Sequence, residues 1–91
     1  MKKTGQLPQR NLVGERVRKA RLACNPPVTQ EDLAGRLAAR GISVDQTAIS
    51  RIENQTRYLM DYEIVALAKS LRVSVAYLFG ESNKLNGRLN W

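Results

Sequence analysis

The chain contains no histidine and a single cysteine, Cys24, and these two scarcities exclude whole classes of function. Without a second thiol Cys24 has no internal disulfide partner. Without histidine, neither a protein-only zinc site nor a Ser-His-Asp constellation can be assembled. Cys24 therefore reads as a small core side chain, with redox sensing through an intermolecular disulfide as the lesser reading. Long apolar runs are missing too. No stretch approaches the roughly 18 residues of a membrane span, and the start lacks the apolar segment of a signal peptide, so a cytoplasmic protein with no membrane partner is expected. The chain has no internal repeat and no low-complexity tract. No metal, cofactor or catalytic residue is expected, and the chain does not read as an enzyme.

What is present in excess is positive charge. Fifteen Lys and Arg face eight Asp and Glu, a formal net charge of +7 in a chain of 91 residues, which suits one small unit with a modest core. The excess is uneven. The segment from Met1 to Cys24 holds seven basic residues and one acidic, whereas the remainder holds eight and seven. Such a balance fits a partner for polyanions, although the same cations also keep a small protein soluble.

Residues 1–10 are polar, basic and interrupted by Gly5 and Pro8, and read as a flexible basic arm. Asn11 is placed to cap a first helix running to about Cys24, with Val13, Val17, Ala20 and Cys24 on one face, and Asn25-Pro26-Pro27 stops it. Thr29, with Asp32 three positions on, resembles a capping box opening a second helix whose buried stripe is Leu33, Ala34 and Leu37. Asp45 caps a third helix with Ile49 and Ile52 inward. Asp61 caps a fourth carrying Ile64, Leu67, Ala68 and Leu71. Ser74 caps a short fifth helix ending at Gly80, with Val73 and Leu78 placed as a hydrophobic staple. The expectation is an all-α, five-helix domain over residues 11–80, followed by a polar tail, residues 81–91.

The second and third helices, joined through Gly41-Ile42-Ser43-Val44, read as a helix-turn-helix. The outward face of the third carries Gln46, Thr47, Ser50 and Arg51, side chains able to exchange hydrogen bonds with base edges in a DNA major groove. The competing reading is a solvated polar face.

Three ordered blocks then carry a family resemblance: Thr29-Gln30-Glu31-Asp32-Leu33-Ala34, Ile49-Ser50-Arg51-Ile52-Glu53-Asn54, and Ile64-Val65-Ala66-Leu67-Ala68-Lys69-Ser70-Leu71-Arg72-Val73-Ser74-Val75-Ala76-Tyr77-Leu78. Over about Leu12 to Gly80 the chain resembles the helix-turn-helix domains of the phage Cro and cI repressor type and of the xenobiotic-response-element regulators of bacteria. The resemblance implies a lambda-repressor-like fold. It implies that Gln46 opens the recognition helix and that Gln30 both touches the DNA backbone and holds Gln46. It also implies that Asn54 binds phosphate and that Arg21 and Glu53 form a buried structural ion pair. Thr56, Arg57, Lys2 and Lys3 complete the expected backbone contacts.

The chain departs from the family pattern in two internal places. The segment between Leu37 and Ile49 is longer than is common, so the second helix is expected to run an extra turn to Arg40 and the turn to be longer. Gln55 stands where a glycine is usual, which leaves either a non-glycine at positive φ or a different loop. Nothing of sensor, protease or oligomerisation type follows Gly80, as in a minimal regulator or a fragment of one.

The function expected is a sequence-specific DNA-binding transcriptional regulator, a repressor, reading a palindromic operator on double-stranded DNA. An antitoxin or adaptor-type protein interaction module on the same fold is the alternative. A homodimer is expected because one short helix reads few bases. Val75, Phe79, Leu85, Leu89 and Trp91 are the interface candidates, with Tyr77 and Leu78 beside them, against the reading in which Phe79 covers the domain's own core.

Overall fold

The computed structural model describes residues 9–84. They form five helices, α1 (Gly14–Ala23), α2 (Gln30–Ala38), α3 (Gln46–Glu53), α4 (Asp61–Leu71) and α5 (Val75–Leu78), and no strand occurs among the described residues. The shared core draws Val13, Val17 and Ala20 from the start and middle of α1, Leu33 and Leu37 from α2, and Ile49 and Ile52 from α3. Ala66, Leu67, Ala68 and Leu71 come from α4, and Tyr77 and Leu78 from α5. These positions recur at helical spacing, so each element buries one stripe and leaves the rest in water. α1 and α2 both pack against α3 and α4, and α5 packs against α1 and α4.

Helix starts are specified by side chains. Thr29 accepts the Asp32 N–H while Asp32 accepts the Thr29 N–H, closing both halves of a capping box on α2. Asp45 accepts the Ala48 N–H at 2.8 Å, and Ser74 accepts the Tyr77 N–H at 2.9 Å. Two starts differ from the sequence expectation. α1 begins at Gly14, later than a cap at Asn11 implies, with Val13 in the N-cap position. Buried Asn11 still accepts the N–H groups of Val13 and Gly14, while its amide donates to the carbonyls of Ile52 and Arg57. It is held by the end of α3 and covers the first turn from outside the helix. α4 is capped by Met60, not Asp61; the Glu63 carboxylate accepts the Met60 N–H at 2.8 Å, and Asp61 becomes the first helical residue.

The other ends of α2 to α5 share one device. Each chain crosses into the left-handed region, at Gly41 (φ 85°), Gln55 (φ 63°), Arg72 (φ 60°) and Gly80 (φ 80°). The next amide then reaches back to an earlier carbonyl: Ile42 to Leu37, Thr56 to Arg51, Val73 to Ala68 and Glu81 to Ala76. This is the Schellman arrangement, which satisfies carbonyls that a helix end would otherwise leave open. At α2 it accounts for the long connection. The α-helix stops at Ala38 instead of Arg40, and residues 39–41 continue as a hydrogen-bonded turn that Gly41 reverses. At α3 the loop places a non-glycine at positive φ. Gln55 offsets that cost by donating its side-chain amide to the Asn11 carbonyl at 3.2 Å.

Some residues expected at a dimer surface are core residues. Tyr77 and Leu78 are buried, Val75 is half-buried against the same cluster, and Phe79 is exposed. The short α5 presents one face to α1 and α4, and a helix of four residues has no room for a second apolar face. The Arg16 guanidinium lies 4.7 Å from the Tyr77 ring centroid and donates to the carbonyls of Tyr77 and Ser82 and to the Asn83 side chain. The segment after α5 is thereby tied to α1. Leu85, Leu89 and Trp91 lie outside the described residues, as do Lys2 and Lys3.

Candidate functional site

α3 exposes Gln46, Thr47 and Arg51, buries Ile49, Ile52 and Glu53, and leaves Ser50 half-buried. The inward position of Glu53 follows from the helical period: it falls beside Ile49 and Ile52, and its charge is met there by Arg21 of α1. Arg21 Nε donates to Glu53 Oε2 at 2.7 Å and Nη2 to Oε1 at 2.9 Å, a two-pronged contact, while Nη1 donates to the Val28 carbonyl at 3.0 Å. Both side chains are at least nine-tenths buried. The hydrogen bond to Glu53 raises the Arg21 pKa above its ordinary value, against burial, which pulls the other way.

The pair continues outward. Gln30, the first residue of α2, donates its amide to Glu53 Oε1 at 3.1 Å, and Gln46, the first residue of α3, donates its own amide to Gln30 Oε1 at 3.1 Å. The direction of this chain is dictated by chemistry. An ionised carboxylate only accepts, so Gln30 must turn its NH2 toward Glu53 and its oxygen toward Gln46. Gln46 must then answer with NH2. Its Oε1 and second amide hydrogen have no partner among the described residues and are exposed together at the start of α3. A buried ion pair thus fixes the orientation of a surface amide through one intermediate side chain.

Beyond α3, Asn54 and Thr56 are exposed, and the Thr56 hydroxyl donates to the Arg51 carbonyl at 3.3 Å. Arg57 is half-buried, with Nη1 3.6 Å from Glu63 Oε1, so its charge is partly met by α4. Arg51 has no acidic partner among the described residues. The loop has two further neighbours that its sequence pattern does not reveal. The Arg10 amide donates to the Gln55 carbonyl at 3.1 Å, and its guanidinium lies 5.4 Å from the ring centroid of Tyr58, an exposed aromatic. Arg10 belongs to a stretch that reads as a flexible arm, and the Gln55 carbonyl and the Tyr58 ring together recruit it. The one signal for Tyr58 is an aromatic immediately after a polar loop.

The structure therefore gathers Gln30, Gln46, Arg21 and Glu53 into one bonded chain, with Thr47 and Arg51 on the same exposed helix and Asn54 and Thr56 just past its end. Among the described residues no cluster of His, Cys, Asp or Glu could hold a metal, and no helix is long and apolar enough to cross a membrane. No family model, curated protein or solved structure matches the chain.

Proposed function

We propose that the chain is a sequence-specific DNA-binding transcriptional regulator, a repressor, built as a lambda-repressor-like domain in which α2 and α3 are the helix-turn-helix. The observation that carries this reading is the bonded chain from Arg21 and Glu53 through Gln30 to Gln46. It leaves Gln46 presenting one oxygen and one N–H, the pair that the adenine N6 and N7 positions require in a major groove. Holding that amide before DNA arrives lowers the ordering cost of the contact. Thr47 offers a methyl to thymine, Ser50 a hydroxyl, and Arg51 a cation to guanine or phosphate. Gln30, Asn54, Thr56, Arg57 and Arg10 supply backbone contacts, which position the protein without reading sequence. Operator occupancy then blocks polymerase, and two copies acting as a C2 dimer supply enough bases for a palindromic site.

Selection of bound sequences from random duplexes tests the reading directly, with a pseudo-palindromic consensus as the expected result. On the selected site, Gln46→Ala should cost about 1 to 3 kcal/mol while affinity for random DNA stays nearly unchanged. Absence of any consensus, or an equal loss on both DNAs, would overturn it.

A further inference from the structure

α2 has two working flanks. Gln30 lies to one side of the buried Leu33 and Leu37 stripe, toward α3, while Arg36 lies to the other, where it donates to the Ser70 carbonyl of α4 at 2.9 Å, with Arg40 in the turn that follows α2. On that far flank a cleft of about 520 Å³ is lined by Arg36, Arg40, Lys69 and Arg72, with no acidic residue in its wall. It sits at the C-terminal ends of α2 and α4. One helix end attracts a cation or two through its dipole. The arginines gathered there outnumber what two such ends offset, and their mutual repulsion is what an anionic occupant relieves. Arg40 and Arg72 are exposed, with no ion-pair partner among the described residues.

Arg36 and Arg72 also form the wall of an adjoining groove of about 430 Å³. Its buried wall is apolar, with Ala20, Val28, Leu71 and Val73, while Asn25 and Asp32 are polar residues in its lining. Asp32 accepts the Thr29 N–H and offsets part of the charge of Arg36, which leaves Arg72 as the cation the groove and the cleft share without an acidic neighbour among the described residues. An apolar groove and a basic cleft that share two arginines match an occupant with a greasy side chain next to carboxylates. A duplex backbone would leave the apolar floor empty.

We infer that the α2–α4 flank is a docking surface for an acidic peptide segment of a protein partner, one apolar side chain entering the Ala23–Val73 groove while flanking carboxylates meet Arg36, Arg40 and Arg72. The surface is separate from the α3 face, so the inference does not rest on the DNA reading.

The test uses the full chain and a labelled peptide with Glu-Glu-Leu-Glu-Glu at its centre, read by fluorescence anisotropy. The wild-type protein should bind it in a salt-sensitive manner, and replacing the central leucine by alanine should weaken binding. The double variant Arg40→Glu with Arg72→Glu should lower peptide affinity by about tenfold or more while weakening duplex DNA binding much less. Arg40→Gln with Arg72→Gln gives the same comparison if charge reversal disturbs the helix ends, and Ala23→Glu tests the groove independently by placing a carboxylate in it. No binding by the wild type overturns the inference. Equal affinity for the leucine and alanine peptides does so as well, reducing the flank to a general cationic patch. Parallel loss of peptide and DNA binding in the double variant overturns it by assigning the cleft to nucleic acid. A protein that binds the peptide but no DNA leaves the inference standing and removes the proposed function.

Discussion

Gly14 and Gly35 are both helical glycines, yet they do opposite things. A Cβ on Gly14 would run into the Ile52 carbonyl oxygen, with the Glu53 carbonyl and the Gln55 side chain each at 3.0 Å, so the missing side chain lets α1 lie directly on the backbone end of α3. Gly35 is exposed, and a Cβ there would meet nothing within 4 Å. Gly14→Ala should therefore destabilise by about 1 to 3 kcal/mol through overpacking, while Gly35→Ala should stabilise by about 0.5 to 1 kcal/mol through helix propensity. Urea melts of both variants check the signs, and equal small shifts would contradict the contact. A second pair contrasts a buried, ion-paired carboxylate with a half-buried hydroxyl within α3. Glu53→Ala strands buried Arg21 and should cost about 3 to 5 kcal/mol, whereas Ser50→Ala should cost under about 1 kcal/mol. Comparable melting temperatures would refute the difference. The pairing of Arg21 with Glu53 was legible because the family resemblance supplies it; the role of Gly14 was not. Nothing local marks a glycine whose φ is ordinary and whose constraint comes from a carbonyl 38 positions away.

At the scale of elements, the starts of α2, α3 and α5 could be read because a capping residue acts over three positions and its partner lies in the same short window. α1 and α4 begin away from the expected caps although their bonds are equally local: Asn11 accepts the Gly14 N–H from outside the helix while its amide is pinned to the end of α3, and Glu63 within α4 reaches back three positions to the Met60 N–H. The capping box of α2 also carries a pH dependence. The Thr29 backbone N–H, and then its hydroxyl, hold the Asp32 carboxyl below its ordinary value because both bonds favour the charged form. A depressed folded-state pKa means that the unfolded chain takes the proton first. The stabilisation is thus fully present above the ordinary carboxylate value, about 4, and drains as pH falls from there through the folded value. Amide exchange at the first turn of α2, corrected for its intrinsic rate, should accelerate as pH is lowered through that window. Asp32→Asn should remove this acid-dependent component, and an unchanged profile in that variant would rule out the mechanism.

Burial of Tyr77 and Leu78 in the shared core leaves Phe79 as the exposed aromatic at the end of α5, at 41% exposure. Under the proposed function, two protomers should occupy one pseudo-palindromic operator with half-sites about one helical turn, roughly 34 Å, apart. Sedimentation of protein with a defined duplex should give two chains per duplex at saturation, and Phe79→Ala should weaken the second binding step more than the first. One protomer per operator at saturation would end the dimer proposal.

Local sequence was enough to specify the all-helical class, the starts of α2, α3 and α5 and the inward stripes of α1 to α4. Caps, turn residues and periodic apolar positions act within a few residues of one another, and their physics needs no distant partner. Tertiary structure alone decided the contacts that join elements: Gly14 against Ile52, Arg16 clamping the chain after α5, Arg10 beside Tyr58, and the orientation of the Gln46 amide set by an ion pair two side chains away. Each depends on groups far apart in the chain whose spacing is fixed only when the helices pack, and no local pattern encodes a distance between helices.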